Sequence, residues 1–179
     1  MLSIENTALL VIDMQVKLTR VMTDKESLII NSQKLIAGMK VLGVPVIFTE
    51  QYPQGLGLTI PEIASLLTEN KPITKMSFSC CRNDDFLQKV KSLDRKQILV
   101  AGIEAHVCVY QTVCDLLAMG YEVQVVADCV SSRTIENKAI ALEKMMDMGA
   151  QITSMETALF ELLKTAENTH FKDISRIVK

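Results

Sequence analysis

Five consecutive apolar residues near the amino end, Ala8-Leu9-Leu10-Val11-Ile12, constrain this chain more than any other feature. They stop at Asp13. An apolar run of strand length without alternation presents apolar side chains on both faces. That is the habit of a parallel sheet covered on both sides by helices. The theme recurs along the chain. Val44-Pro45-Val46-Ile47-Phe48 reads as a second strand, with its proline tolerable near the start. Ile73-Thr74-Lys75-Met76 is a short third, Ile98-Leu99-Val100-Ala101 a fourth, and Tyr121 to Ala127 a fifth that ends at Asp128. Ala150-Gln151-Ile152-Thr153 is the last.

Helical patterns separate these runs. Leu28, Leu35, Met39 and Leu42 lie at helical spacing between Lys25 and Leu42, with Thr23 or Asp24 as cap and Gly43 as stop. Pro61 suits the first position of a short helix. Asn83 or Asp84 caps a helix to about Leu93. Ser131-Ser132-Arg133-Thr134 leads into a helix to about Met148, ended by Gly149. Ser154 or Thr157 starts another to about Lys164, and the tail from Thr169 to Lys179 packs as a short helix. Glu50 to Gly57, with a proline and two glycines, is a loop.

Strands alternating with helices predict an α/β chain. The expected fold is a three-layer α/β/α sandwich with a mostly parallel six-stranded sheet, Rossmann-like, in a single domain over 1–179. In such sheets chemistry collects outside the carboxyl ends of the strands, near a switch in strand order. Asp13, Lys75 and Cys108 all follow strand ends. Cys108 lies on Gln97 to Gly120, which reads as strand, tight turn at Gly102, then a helix marked by Val109, Val113, Leu116 and Leu117. A thiol in the first turn of a helix meets the positive end of the helix dipole, which favours thiolate. Each residue also has a plainer reading. Cys108 suits a buried core, Asp13 the end of a strand, and Lys75 a solvated surface.

Composition narrows the function classes. The 179 residues carry 19 basic and 21 acidic side chains, a formal net charge of -2, which offers no field for nucleic acid or an anionic membrane. No apolar run approaches the roughly 18 residues that span a bilayer, and the amino end lacks the basic flank of a signal peptide. Five cysteines, without a C-x-x-C, argue against a disulfide framework and for a reducing, cytoplasmic setting. The two histidines, His106 and His170, stand in no zinc spacing, so neither a metal nor another cofactor is expected.

The motifs Leu10-Val11-Ile12-Asp13-Met14-Gln15, Thr74-Lys75 and Gly102-Ile103-Glu104-Ala105-His106-Val107-Cys108-Val109 together resemble the isochorismatase-like hydrolase superfamily, over nearly the whole chain. Thr49-Glu50-Gln51-Tyr52-Pro53 and Asp128-Cys129-Val130-Ser131-Ser132-Arg133 are similar to the isochorismatase domain-containing subgroup, some of whose members carry a ribonuclease label. The resemblance implies a cysteine hydrolase with catalytic Asp13, Lys75 and Cys108. Cys108 would attack a carbonyl to form a thioester, Asp13 would move the protons, and Lys75 would stabilise negative charge. It further implies an oxyanion hole from the backbone amides of Ala105 and Cys108, with a non-proline cis peptide at Glu104–Ala105.

Loop placement makes Gln51, Tyr52, Phe78, Glu104 and Arg133 candidates for the substrate pocket. Gln51 and Tyr52 could equally shape their loop, Phe78 could be core, and Arg133 could pair with a surface carboxylate. Cys80, Cys81, Cys114 and Cys129 read as packing thiols, and His106 borders the turn. Relatives that cleave isochorismate commonly have glycine at the Cys108 position, and nicotinamidases place histidines after the second strand. This chain does neither, and it has Ala105 where many relatives have threonine. The expected activity is therefore hydrolysis of an amide-type C–N bond in a small molecule. Vinyl-ether or ester hydrolysis in the same pocket, or a non-catalytic scaffold on the same fold, are the alternatives. A homo-oligomer is expected from the resemblance and the ten methionines.

Overall fold

The computed structural model describes all residues from 1 to 179. One six-stranded sheet runs through it, all parallel, in the order β3-β2-β1-β4-β5-β6. The strands are β1 Thr7–Ile12, β2 Val46–Gln51, β3 Ile73–Lys75, β4 Gln97–Ile103, β5 Glu122–Ser131 and β6 Gln151–Thr153. The helices are α1 Val16–Thr19, α2 Lys25–Val41, α3 Pro53–Leu56, α4 Pro61–Ala64, α5 Asp84–Ser92, α6 Tyr110–Ala118, α7 Ile135–Asp147, α8 Met155–Leu163 and α9 Phe171–Val178.

The uninterrupted apolar strands do what their composition demands. In β1, Leu9 and Val11 enter one core with Leu35, Ile36 and Met39 of α2 and Leu159 of α8. Ala8, Leu10 and Ile12 enter the other, with Phe86 of α5, Val113 of α6 and Met145 of α7. The sheet is thus the middle of three layers, as a non-alternating run requires.

Several helix starts follow their expected caps. The side chain of Asn83 accepts from the Phe86 amide, Thr134 from Asn137, and Ser154 from Thr157. Asp24 differs: it takes a left-handed backbone and accepts a hydrogen bond from the Ser27 hydroxyl instead of capping an amide.

Two strands outrun their apolar cores. β4 continues past Gly102 to Ile103, and β5 passes through Asp128 to Ser131. A register irregularity between Val100 and Gly102 accommodates the extra length. Gly102 is required there. Its φ is +114°, and a Cβ would lie 2.1 Å from the carbonyl oxygen of Ile12. β1 and β4 therefore touch backbone to backbone at the residue preceding Asp13. Between these two strands the order reverses, which opens the crevice where open α/β sheets bind ligands.

Candidate active site

Asp13 leaves β1 in the left-handed region, at φ 50°, and is fully buried. A non-glycine residue held there is strained by about 1–3 kcal/mol, and such positions gather at functional sites. Its two carboxylate oxygens are fixed from two strands. Thr49 Oγ1 of β2 donates to Oδ1 at 2.7 Å, and Lys75 Nζ of β3 donates to Oδ2 at 2.6 Å. Lys75 also reaches Gln51 Oε1 at 2.9 Å and the carbonyls of Phe78 and Ser77 at 3.1 and 3.3 Å. An ammonium has three protons, so these four acceptors saturate it. Burial is the strongest single influence and acts to lower the Lys75 pKa, but the Asp13 charge and hydrogen bond, with Cys80 and Cys108, together outweigh it and the pKa is raised.

Cys108 faces this pair from the turn after β4. Ala105–Val109 forms a wide turn, in which the Val109 amide donates to Glu104 O at 3.2 Å, and it runs directly into α6. Thr112 Oγ1 donates to Cys108 O at 2.6 Å and accepts from the Cys80 amide at 3.0 Å. One hydroxyl thereby ties the turn to the segment that follows Lys75. The thiol is pushed well above its usual pKa, first by burial and then by the Asp13 carboxylate, with Lys75 opposing. A resting thiolate is thus not what the helix-dipole expectation meets here. The group is a thiol beside a carboxylate. Its neighbour Cys80, fully buried, is raised to about 11, chiefly by burial.

The expected cis bond is displaced. The non-proline cis peptide is Ile103–Glu104, one residue before the Glu104–Ala105 bond that the resemblance implies, and it sits where β4 ends and the turn begins. The Ala105 amide follows this bond, at the first position of the wide turn.

The five pocket candidates divide. Gln51 is buried and spends its amide on Lys75 and on the carbonyl of Met76, at 2.9 and 2.8 Å. Glu104 accepts from Arg133 Nε at 2.8 Å, and Arg133 Nη2 lies 3.4 Å from His106 Nε2. His106 Nδ1 lies 2.9 Å from Ser132 Oγ. Tyr52 and Phe78 are about half exposed, at 46% and 53%, so Phe78 is not core. The Tyr52 ring covers Gly55, and its amide donates to the Lys75 carbonyl. A hollow of about 770 Å³ beside Ile73 and Lys89 lies away from all of these residues.

Three supporting residues carry no mark of chemistry in the sequence. Thr49 and Thr112 hold the groups above, and Gln15 clamps the β2 exit. Gln15 donates to Gln51 O and Gly57 O at 2.9 and 2.5 Å and accepts from the Gln51 amide at 2.7 Å. Strand alternation could have found Thr49, since period two puts it on the same face as Gln51.

Comparison with known proteins finds relatives over most of the chain. The secreted isochorismatase effector Isc1 of Phytophthora sojae is 43% identical over 149 residues, covering 81% of this chain and 71% of that protein. Isochorismatase domain-containing protein 2 of Danio rerio is 36% identical over 178 residues, covering 99% and 89%. Among solved structures, the MAR1 ribonuclease of Caenorhabditis elegans superposes with a TM-score of 0.93 at 36% identity, covering 99% of this chain and 91% of that one. The isochorismatase domain model matches residues 7–157, and the chain belongs to the isochorismatase family of α/β hydrolase-fold proteins.

Proposed function

We propose that this chain is a cysteine hydrolase that cleaves an amide-type C–N bond of a small molecule. The observation that carries the reading is the buried Asp13–Lys75 pair, 2.6 Å apart, facing the Cys108 thiol at the β1/β4 switch. Asp13 takes the thiol proton as sulfur attacks the carbonyl carbon. The S–C bond forms, the carbonyl π electrons move to oxygen, and the Ala105 and Cys108 amides receive the oxyanion. Asp13 returns the proton to nitrogen as the C–N bond breaks, leaving a thioester and a free amine. Asp13 then deprotonates water, which attacks the thioester and releases acid and thiol. Lys75, with every donor occupied inside the protein, acts through Asp13: it fixes the carboxylate and balances its charge.

Mass spectrometry after incubation with a panel of small amides tests the reading. A covalent adduct on the Cys108 peptide, and loss of turnover in Cys108→Ala, are expected. Turnover unaffected by that substitution would sink it. RNA cleavage, the activity in the name of the C. elegans protein, would require a path for a polyanion. The net charge of -2 and the internal pairing of Lys75 and Arg133 argue against one.

The same reading includes a cytoplasmic homo-oligomer. Five free cysteines suit a reducing compartment. Ile140, Met146 and Met148 are each about half exposed on or beside α7, apolar surface that a second copy would cover. Light scattering at micromolar concentration should give a multiple of the 19.9 kDa chain mass.

A further inference from the structure

We propose that this site selects uncharged substrates and turns away anionic ones, because every cation around it is already spoken for. The inference rests on the cysteine-hydrolase reading above and names the substrate class for that same site.

The charge inventory carries it. Lys75 is buried, paired with Asp13 at 2.6 Å, and its protons are saturated by Gln51 and two carbonyls. Arg133 is paired with Glu104 at 2.8 Å. Those four groups sum to zero. Glu50, beside Gln51, is buried and accepts from the amide and hydroxyl of Thr59, both at 2.7 Å, with no cation bridging it. The cluster around the site therefore holds no uncompensated positive charge. Lys17, bonded to Gly55 O at 2.7 Å, is solvent-exposed, where water screens its field.

The surrounding loops offer no polar replacement. Tyr52, Leu58, Met76 and Phe78 expose 46–70% of their surface. Met76 and Phe78 lend their carbonyls to Gln51 and Lys75, so their side chains stand at the site's edge. A carboxylate entering there would shed its water, meet no lysine or arginine whose charge is not already paired with a carboxylate, and approach Glu104. A neutral carboxamide with an apolar substituent loses little on the same path.

Matched alkylating agents test this without a known substrate. Iodoacetamide and iodoacetate differ only in charge. In each reaction the Cys108 sulfur bonds to the methylene carbon, iodide departs, and the thiol proton passes to Asp13. The rate at Cys108, read by peptide mass to separate it from the other four cysteines, should favour iodoacetamide. The expected preference exceeds that of a free small thiol at the same pH by about tenfold or more. Glu104→Gln, which frees Arg133, should lower this preference several-fold, and Arg133→Leu, which leaves Glu104 unpaired, should raise it.

A preference no greater than that of the free thiol overturns the inference while leaving the nucleophile in place. So does a preference that neither substitution moves. Absence of Cys108 labelling by either reagent overturns the hydrolase reading and the inference together. The Arg133 variant keeps the test sharp if the Glu104 variant folds poorly.

Discussion

Asp13 holds two jobs that a substitution can separate. As a base it is needed for turnover. As a charge it keeps the Cys108 thiol protonated, against the opposing pull of Lys75. Asp13→Asn should therefore move the alkylation profile of Cys108 to lower pH while amide turnover falls about 10²–10⁴-fold. A profile that shifts upward would remove Asp13 from direct contact with the thiol. Thr49 acts one step further out, as a positioning residue on Asp13 Oδ1. A hydrogen bond to a charged group contributes roughly 1.5–3 kcal/mol. Thr49→Val should cost about 10- to 100-fold in kcat with KM little changed, and Thr49→Ser should restore most of it. Equal losses in both variants would indicate a packing role instead. Of these residues, Asp13 and Cys108 stand out in the sequence because they come after apolar runs, and Lys75 because it falls at the end of the short third strand. Thr49 and Thr112 do not, since a hydroxyl aimed at a carboxylate looks the same in sequence as one aimed at water.

At the scale of elements, the crevice depends on one backbone contact. Gly102 lets β4 lie against Ile12, so the strand that ends at Cys108's turn stays beside the strand that ends at Asp13. Gly102→Ala places a methyl 2.1 Å from a carbonyl oxygen at a φ of +114°. It should destabilise the fold by at least about 2 kcal/mol, measured by urea unfolding. An unchanged midpoint would mean the two strands can separate without cost. The sequence pattern reaches this level well for β1 and β4, whose apolar runs leave no polar face. It fails at their exits. The carboxyl ends of β4 and β5 carry polar or small residues, Gly102, Asp128 and Ser131, because they line a crevice rather than a core. Hydrophobic periodicity therefore stops short of the strand ends. The short helices α1 and α3 escape for a related reason: four residues make one turn, too few for any period to register.

For the whole molecule, buried ionisable groups set the response to alkali. Cys80 titrates at about 11 and Cys81 at about 12, both raised first by burial, and the Cys108 thiol is raised for the same reason. In the unfolded chain these thiols would ionise near 8.5. Above that pH the unfolded state binds fewer protons than the folded state, so stability falls as pH rises. The raised pKa of Lys75 acts in the same direction, because its charged form is the one the fold favours. The stabilisation is complete below about pH 8.5 and is lost progressively up to pH 11–12. For Cys80, a shift to about 11 corresponds to about 2–3 kcal/mol lost by the end of that window. Urea unfolding between pH 8 and pH 11 should show a steady decline. Cys80→Ala, although less stable at pH 8 for the space it leaves, should decline less steeply, since one proton no longer separates the two states. A stability flat across the window, or an identical slope in the variant, would show that these thiols titrate in the folded protein as they do in the open chain. The crevice at the β1/β4 switch would then be far wetter than its packing implies.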